Sequence, residues 1–201
     1  MEMIIPEEIL GRHGAIRINF LKGDYIFYEN DPPQFYYQVI SGSVKMCTFS
    51  ADGQEFIQGI FKTGDSFGEP AIFAGFPFPS NAIALEPSTV ARLPVDRFME
   101  ILRNDFELTK KFTFLLSERL RYKSMVLKEI SSYEPDHILM TMLSYIRANH
   151  DDGKNLKFLI PYTRQQLADM TGLRVETVIR TIKKLAKEGR LEIQRHKIFM
   201  K

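Results

Sequence analysis

Thr163-Arg164-Gln165-Gln166-Leu167-Ala168-Asp169-Met170-Thr171-Gly172-Leu173-Arg174-Val175-Glu176-Thr177-Val178-Ile179-Arg180 reads as two short helices joined by a tight turn. Thr163 and Gln166 have capping-box spacing, a hydroxyl at the N-cap and an amide at N3. Leu167, Ala168 and Met170 carry the first helix, and Gly172 supplies the turn. The second helix is expected over 174–188, with Gly189 fitting its C-terminal stop. Its faces segregate: Val178, Ile182 and Leu185 form an apolar stripe, while Glu176, Arg180, Lys183, Lys184 and Lys187 lie opposite. A solvated helix face carries similar charges. Here, however, a capped helix and glycine turn precede it, and a hairpin-like pair, Leu191-Glu192-Ile193 and Lys197-Ile198-Phe199, follows where a wing belongs. The spacing predicts a winged helix-turn-helix.

Upstream, Tyr133-Glu134-Pro135-Asp136 interrupts a helical run, because Pro135 lacks an N–H and biases Glu134 away from helix. A helix over 136–149, a turn at Asp151-Asp152-Gly153 and an extended piece, Phe158-Leu159-Ile160, fill the interval. Before the break, 105–132 contains neither Gly nor Pro and is expected as one long helix with two apolar stripes. Leu108, Phe112, Leu115, Tyr122 and Val126 form one. Thr109, Thr113, Leu116, Leu120, Lys123, Leu127 and Ile130 form the other, at the heptad spacing of a parallel helix pair. Leu116, Leu120, Leu127 and Ile130 are therefore candidate dimer-seam residues, with the remaining stripe facing a β-domain. A helix sandwiched inside one monomer is the alternative that the spacing leaves open.

From about residue 15 to 93 the chain alternates short β-forming runs with turn chemistry. Tyr25-Ile26-Phe27-Tyr28, Phe35-Tyr36-Tyr37-Gln38-Val39-Ile40 and Phe56-Ile57-Gln58-Gly59-Ile60-Phe61 are separated by Asn30-Asp31-Pro32-Pro33, Ser41-Gly42-Ser43 and Ala51-Asp52-Gly53. The expected fold class is α+β: an antiparallel β-roll of jelly-roll type, a long dimerisation helix and a winged helix-turn-helix. The expected domains are 1–103, with flanking short helices, 104–134 and 135–201.

In this order, over essentially the whole chain, the sequence resembles the CRP/FNR family, that of the cyclic-AMP receptor protein and the fumarate–nitrate reduction regulator. The stretch from Thr163 to Arg180 is its most specific part. The resemblance implies that Glu176 and Arg180 touch base edges and that Thr163, Arg164 and Gln165 lie beside phosphates. Arginine can grip guanine O6 and N7, and a carboxylate can accept from cytosine N4. Val175 and Ile179 complete the candidate reading face, and Arg174, Lys183, Lys184 and Lys187 are candidate phosphate contacts. Val175-Glu176-Thr177 is closer to the oxygen-regulator branch than to the cyclic-AMP branch. Implied partners are double-stranded DNA carrying an inverted repeat with a GA core, a second copy of the chain, and RNA polymerase.

The cyclic-nucleotide cassette of that family begins well, with Gly64-Asp65-Ser66-Phe67-Gly68-Glu69-Pro70-Ala71. The resemblance implies an effector pocket at Gly68, Glu69, Pro70, Ala71, Ser80 and Asn81, with Lys123 and Ser124 contributed by the long helix. Glu69 fits either a ribose hydroxyl or a turn cap. The phosphate-holding arginine expected about ten residues later is missing, for no Lys or Arg occurs from Thr63 to Ala91. A phosphate drawn from water needs charge-assisted bonds, and Phe76-Pro77-Phe78-Pro79 offers none. Cyclic AMP is not expected as a ligand, and no cofactor is predicted.

The single cysteine, Cys47, cannot hold a four-thiolate iron–sulfur cluster and reads as a small buried hydrophobe. Of the four histidines, His13, His137, His150 and His196, only His13 lies near the roll, so haem is not expected either. A cupin-like metal enzyme would need clustered His and carboxylates inside the roll, yet no histidine occurs between Gly14 and Asp136. A non-catalytic effector-binding module, or one that binds protein or RNA, is the remaining competitor. The net charge of +2 is unevenly spread. Residues 1–134 hold 14 Lys and Arg against 18 Asp and Glu, a balance of −4; residues 135–201 hold 13 against 7, a balance of +6. A basic C-terminal third points to a polyanion. No apolar run reaches membrane-span length and no signal-peptide pattern opens the chain, so a cytoplasmic protein without membrane contact is expected.

Overall fold

Alternating burial along the N-terminal strands decides how they stack. Tyr37 and Val39 point to one side of their strand and Tyr36 to the other, and each side joins a different core. In the computed structural model, residues 3–132, 134–150 and 157–200 are described, with backbone alone for 126, 129–132, 149 and 150. The predicted turn at Asp151-Asp152-Gly153 lies outside them, as does the side chain of Ile130.

The elements run α1 (Glu7–Arg12), β1 (Ile16–Phe20), β2 (Tyr25–Phe27), β3 (Phe35–Ser41), β4 (Ser43–Phe49), β5 (Glu55–Lys62), β6 (Ser66–Phe67), α2 (Glu69–Ala74), β7 (Asn81–Ala84), β8 (Ser88–Pro94), α3 (Val95–Asn104) and α4 (Phe106–Ser132). After these come α5 (Pro135–His150), β9 (Phe158–Leu159), α6 (Arg164–Thr171), α7 (Val175–Lys187), β10 (Leu191–Gln194) and β11 (Lys197–Met200). Residues Met1–Ser117 form one compact unit and Glu118–Lys201 a second.

The first unit holds two four-stranded antiparallel sheets, ordered β1-β8-β3-β6 and β2-β7-β4-β5. Between them lies an aromatic core of Phe27, Tyr37, Val39, Val44, Met46, Phe67, Phe78 and Val90. The outer face of the first sheet buries Tyr36, Ala91 and Leu93 against Ile5, Leu10, Phe98, Ile101, Leu108 and Phe112. Leu108 and Phe112 come from the start of α4, the stripe expected to face the β-domain. Gln38 is wholly buried and ties the N-terminal segment to β3: its Nε2 donates to the Ile5 carbonyl at 2.9 Å, and its Oε1 accepts from Ile5 N and the Tyr36 hydroxyl. Cys47 is buried in β4.

In the second unit, Ile138, Leu139, Met142, Leu143 and Ile146 of α5 are buried, as are Leu167 and Ala168 of α6 and Val178, Ile182 and Leu185 of α7. A three-stranded sheet, β10-β11-β9, completes it. Three helices with a small antiparallel sheet make a winged helix-turn-helix, so the α+β class and the order roll, long helix, winged module hold.

Candidate nucleic-acid interface

The first turn of α6 is fixed by both capping-box bonds. Gln166 N donates to Thr163 Oγ1 at 3.1 Å, and Thr163 N donates to Gln166 Oε1 at 2.9 Å. The helix ends at Gly172, whose φ of 70° lies in the left-handed region that favours glycine. Thr171 Oγ1 donates back to the Leu167 carbonyl at 2.6 Å and accepts from Leu173 N, bridging the turn. Arg174 is the N-cap of α7 but makes no side-chain cap bond.

Helix α7 buries its apolar stripe and exposes Glu176, Arg180, Lys183, Lys184 and Lys187. With the half-buried Ile179, these side chains share one face of the helix. Glu176 lies in the first turn and Lys184 and Lys187 in the last, an order that also suits the helix dipole. Val175 is half-buried at the helix start.

The candidate phosphate residues divide. Thr163 and Gln165 are exposed at the start of α6, and the Gln165 amide donates to Asp169 Oδ1 at 2.8 Å. Arg164 Nη1 donates to the His196 carbonyl at 3.1 Å, across the module to the wing. Lys183 and Lys187 are exposed, whereas the Lys184 ammonium is hydrogen-bonded to the Asp136 carboxylate of α5. That contact holds the Lys184 pKa above its ordinary value. The pairing of Asp136 with Lys184 is not legible in the sequence, because the two lie 48 residues apart. Lys197 falls in the expected wing pair, and the residues before it at the tip, Arg195 and His196, carry no local sequence signal; all three are exposed.

The candidate effector residues divide between the units. In the roll, Glu69 is wholly buried and accepts a hydrogen bond from the Ser66 hydroxyl. Ala71 is buried, Pro70 is exposed, and the buried Ser80 hydroxyl has no hydrogen-bond partner among the described residues. Asn81 serves the fold: its Oδ1 accepts from Glu29 N at 3.0 Å and its Nδ2 donates to the Cys47 carbonyl at 3.4 Å. Gly68 has a φ of +82°, and a Cβ there would lie 2.9 Å from Phe78 Cε1. Phe78, in turn, stacks on Phe27 with centroids 3.7 Å apart. Lys123 and Ser124 are exposed on α4, where Ser124 Oγ donates to the Leu120 carbonyl at 3.0 Å.

These residues do not fit a cyclic phosphate. Pro79 precedes Ser80, no cation occurs from 63 to 91, and a buried aromatic stack presses on Gly68. Arg92 shares a strand face with Val90, but its guanidinium sits over the Phe35 ring at 4.4 Å. His13 Nδ1 lies 2.9 Å from the Ile9 carbonyl at the end of α1. Among the described residues no group of three or more His, Cys, Asp or Glu could hold a metal ion.

On α4, Leu116 is half-buried, whereas Leu120 and Leu127 are 66% and 70% exposed in the single chain. No helix among the described residues is long and apolar enough to cross a membrane.

A β-roll followed by a long helix and a basic winged module defines a two-module regulator of transcription. The cyclic nucleotide-binding domain family matches residues 17–105 and the Crp-like helix-turn-helix domain matches 137–201. The chain is 27% identical to Electron transport regulator A of Shewanella oneidensis, over 86% of this chain and 70% of that protein. It is also 27% identical to the Cyclic AMP receptor protein of Thermus thermophilus, over 92% and 84%. The structure of FixK2 from Bradyrhizobium japonicum shares the fold, with a TM-score of 0.76 at 21% identity, covering 93% of this chain and 92% of that one. The protein belongs to the CRP/FNR family of transcription regulators, which sets aside the metal-enzyme reading.

Proposed function

We propose that the protein works as a homodimer that binds an inverted repeat in duplex DNA, each protomer laying α7 in the major groove. The observation that carries this reading is the largely cationic face that Glu176, Ile179, Arg180, Lys183 and Lys187 share on α7, a helix preceded by a capped partner helix and a glycine turn. Arg180 and Glu176 read base edges, with Val175 and Ile179 beside them; Lys183 and Lys187 hold phosphates. Residues 104–134 provide the dimer seam and hinge, and 135–201 the DNA-binding module. Residues 1–103 form a sensor for an effector that is not a cyclic nucleotide. The setting is cytoplasmic, with RNA polymerase as the further partner.

Selection of duplexes from a random pool by the full chain tests this. Arg180→Ala should relax the preference at one base pair per half-site and cost roughly 1–3 kcal/mol per half-site. Lys187→Ala should weaken all sequences alike and flatten the slope of log K against log salt by about 0.9. If Arg180→Ala lowers affinity yet selects the same sequence, Arg180 is a phosphate clamp and the reading face is misassigned.

A further inference from the structure

The β10–β11 connection is a two-residue loop, since Gln194 pairs with Lys197. Both loop residues have positive φ, 45° at Arg195 and 67° at His196. Positive φ at both positions is the signature of a type I′ turn, which favours Asn-Gly because side chains with a Cβ resist that backbone. Neither residue here is glycine. The wing tip therefore holds a conformation its own residues disfavour, and such conformations persist only where surroundings over-determine them.

Besides the β10–β11 ladder that closes it, this turn is restrained from α6. Arg164 Nη1 donates to the His196 carbonyl at 3.1 Å, at the second strained position. Arg164 is the first residue of a helix whose start is locked by the Thr163–Gln166 capping box. Strand β9 is paired with β11, and Ile160 N donates to the Ile198 carbonyl at 2.9 Å, which brings the start of α6 alongside the wing. A planar guanidinium suits this task, for it can hold a carbonyl with a fixed fork.

We infer that Arg164 is a positioning residue, holding the Arg195–His196 turn in its strained form so that the wing meets DNA already ordered. This deepens the DNA-binding reading and rests on it for its functional consequence. A guanidinium that only clamped phosphate would have no need of the turn. One that positions the turn becomes dispensable once the turn can form unaided.

The test is a double-mutant cycle in the full chain with Arg164→Ala and His196→Gly, the glycine relieving the second positive φ. Arg164→Ala should lower affinity for the selected duplex by roughly tenfold or more, the scale of one hydrogen bond from a charged donor. The salt slope should stay unchanged, and in the His196→Gly background most of the loss should disappear. An equal loss in both backgrounds, with a slope lower by about 0.9, makes Arg164 a phosphate ligand and overturns the proposal. A second arm needs no DNA: NMR order parameters at Arg195 and His196 should fall in Arg164→Ala and recover in the double variant. Unchanged order in Arg164→Ala refutes the positioning role. If the wild-type chain binds no duplex, the DNA reading fails while the NMR arm still decides this one.

Discussion

Lys184 on α7 donates a hydrogen bond to Asp136 at the start of α5, so a cation on the proposed DNA-binding face is already engaged within the protein. Asp136 sits in the first turn of α5, where a carboxylate also suits the helix dipole. The Lys184 side chain is 58% exposed and that of Asp136 22%, so a phosphate that approaches this lysine must share its ammonium with the carboxylate or displace it.

Asp136→Asn should therefore release Lys184 to DNA. Affinity for unselected duplex is expected to rise about two- to fivefold, the modest scale of an exposed ion pair. The salt slope should steepen by about 0.9. Adding Lys184→Ala should cancel both changes. If Asp136→Asn leaves affinity and slope untouched, Lys184 serves only to strap α5 to α7. The pair is no physiological pH switch. Asp136 raises the Lys184 pKa from 10.5, so its contribution is complete below that pH and fades only as pH rises further.

The helix-turn-helix was legible because its signals are local. Thr163 and Gln166 lie three residues apart, Gly172 marks the turn, and Val178, Ile182 and Leu185 keep helical period; the structure realises each. The contacts that bear on the site's behaviour were not legible, because they join distant positions. Lys184 meets Asp136 across 48 residues and Arg164 meets His196 across 32. Periodicity reports which face a residue takes, not which side chain it meets there. The wing turn was hidden for a different reason, since Arg195-His196 lacks the Asn-Gly pattern by which a type I′ turn is read. In the roll, the missing cation was visible but the Phe78–Phe27 stack was not.

The exposed leucines of α4 give the dimer its test. Leu120 and Leu127 stand one heptad apart and expose most of their surface in the single chain. Charging them should spare the monomer's own core, whereas Leu116 is half-buried and would confound the result. The double variant Leu120→Glu/Leu127→Glu should sediment as a folded monomer at concentrations where the wild type is a dimer. It should also lose cooperative binding to the inverted repeat. A dimer mass in the variant would remove α4 as the seam.

The roll interior predicts silence toward cyclic AMP. A ligand of the folded state stabilises it by about 2.7 kcal/mol at 100 times its Kd, a shift of several degrees in Tm. Near-millimolar cyclic AMP should leave the melt of the full chain unchanged, because no cation from 63 to 91 can meet the phosphate. Gly68→Ala should by itself lower Tm, since the new methyl would lie 2.9 Å from a buried Phe78 and the φ of +82° resists a side chain. A saturable rise in Tm with cyclic AMP would show that the pocket is misread.

Tyr122 should make the second unit sensitive to alkali. Its ring stacks on Tyr145 with centroids 3.8 Å apart, and Tyr162 lies close enough to bear on its charge. Burial, first, and then the two neighbouring phenols push the Tyr122 pKa well above its ordinary 10.0. In the unfolded chain the phenol ionises near that ordinary value, while the folded chain keeps its proton. The unfolded state then binds fewer protons, so stability falls as pH rises. The contribution is complete below pH 10.0 and is lost on the way up to the folded value. One such group imposes a slope of at most about 1.4 kcal/mol per pH unit. Tyr122→Phe keeps the ring stack and removes the ionisable oxygen. Urea midpoints of the second unit, followed between about pH 9.5 and 11.5, should fall less steeply in this variant than in the wild type. Tyr37→Phe is the control: burial raises that phenol in the roll as well, so its removal should flatten the alkaline loss of the first unit and leave the second unchanged. Equal slopes for wild type and Tyr122→Phe in the second unit would mean that the stacked phenol ionises as freely folded as unfolded.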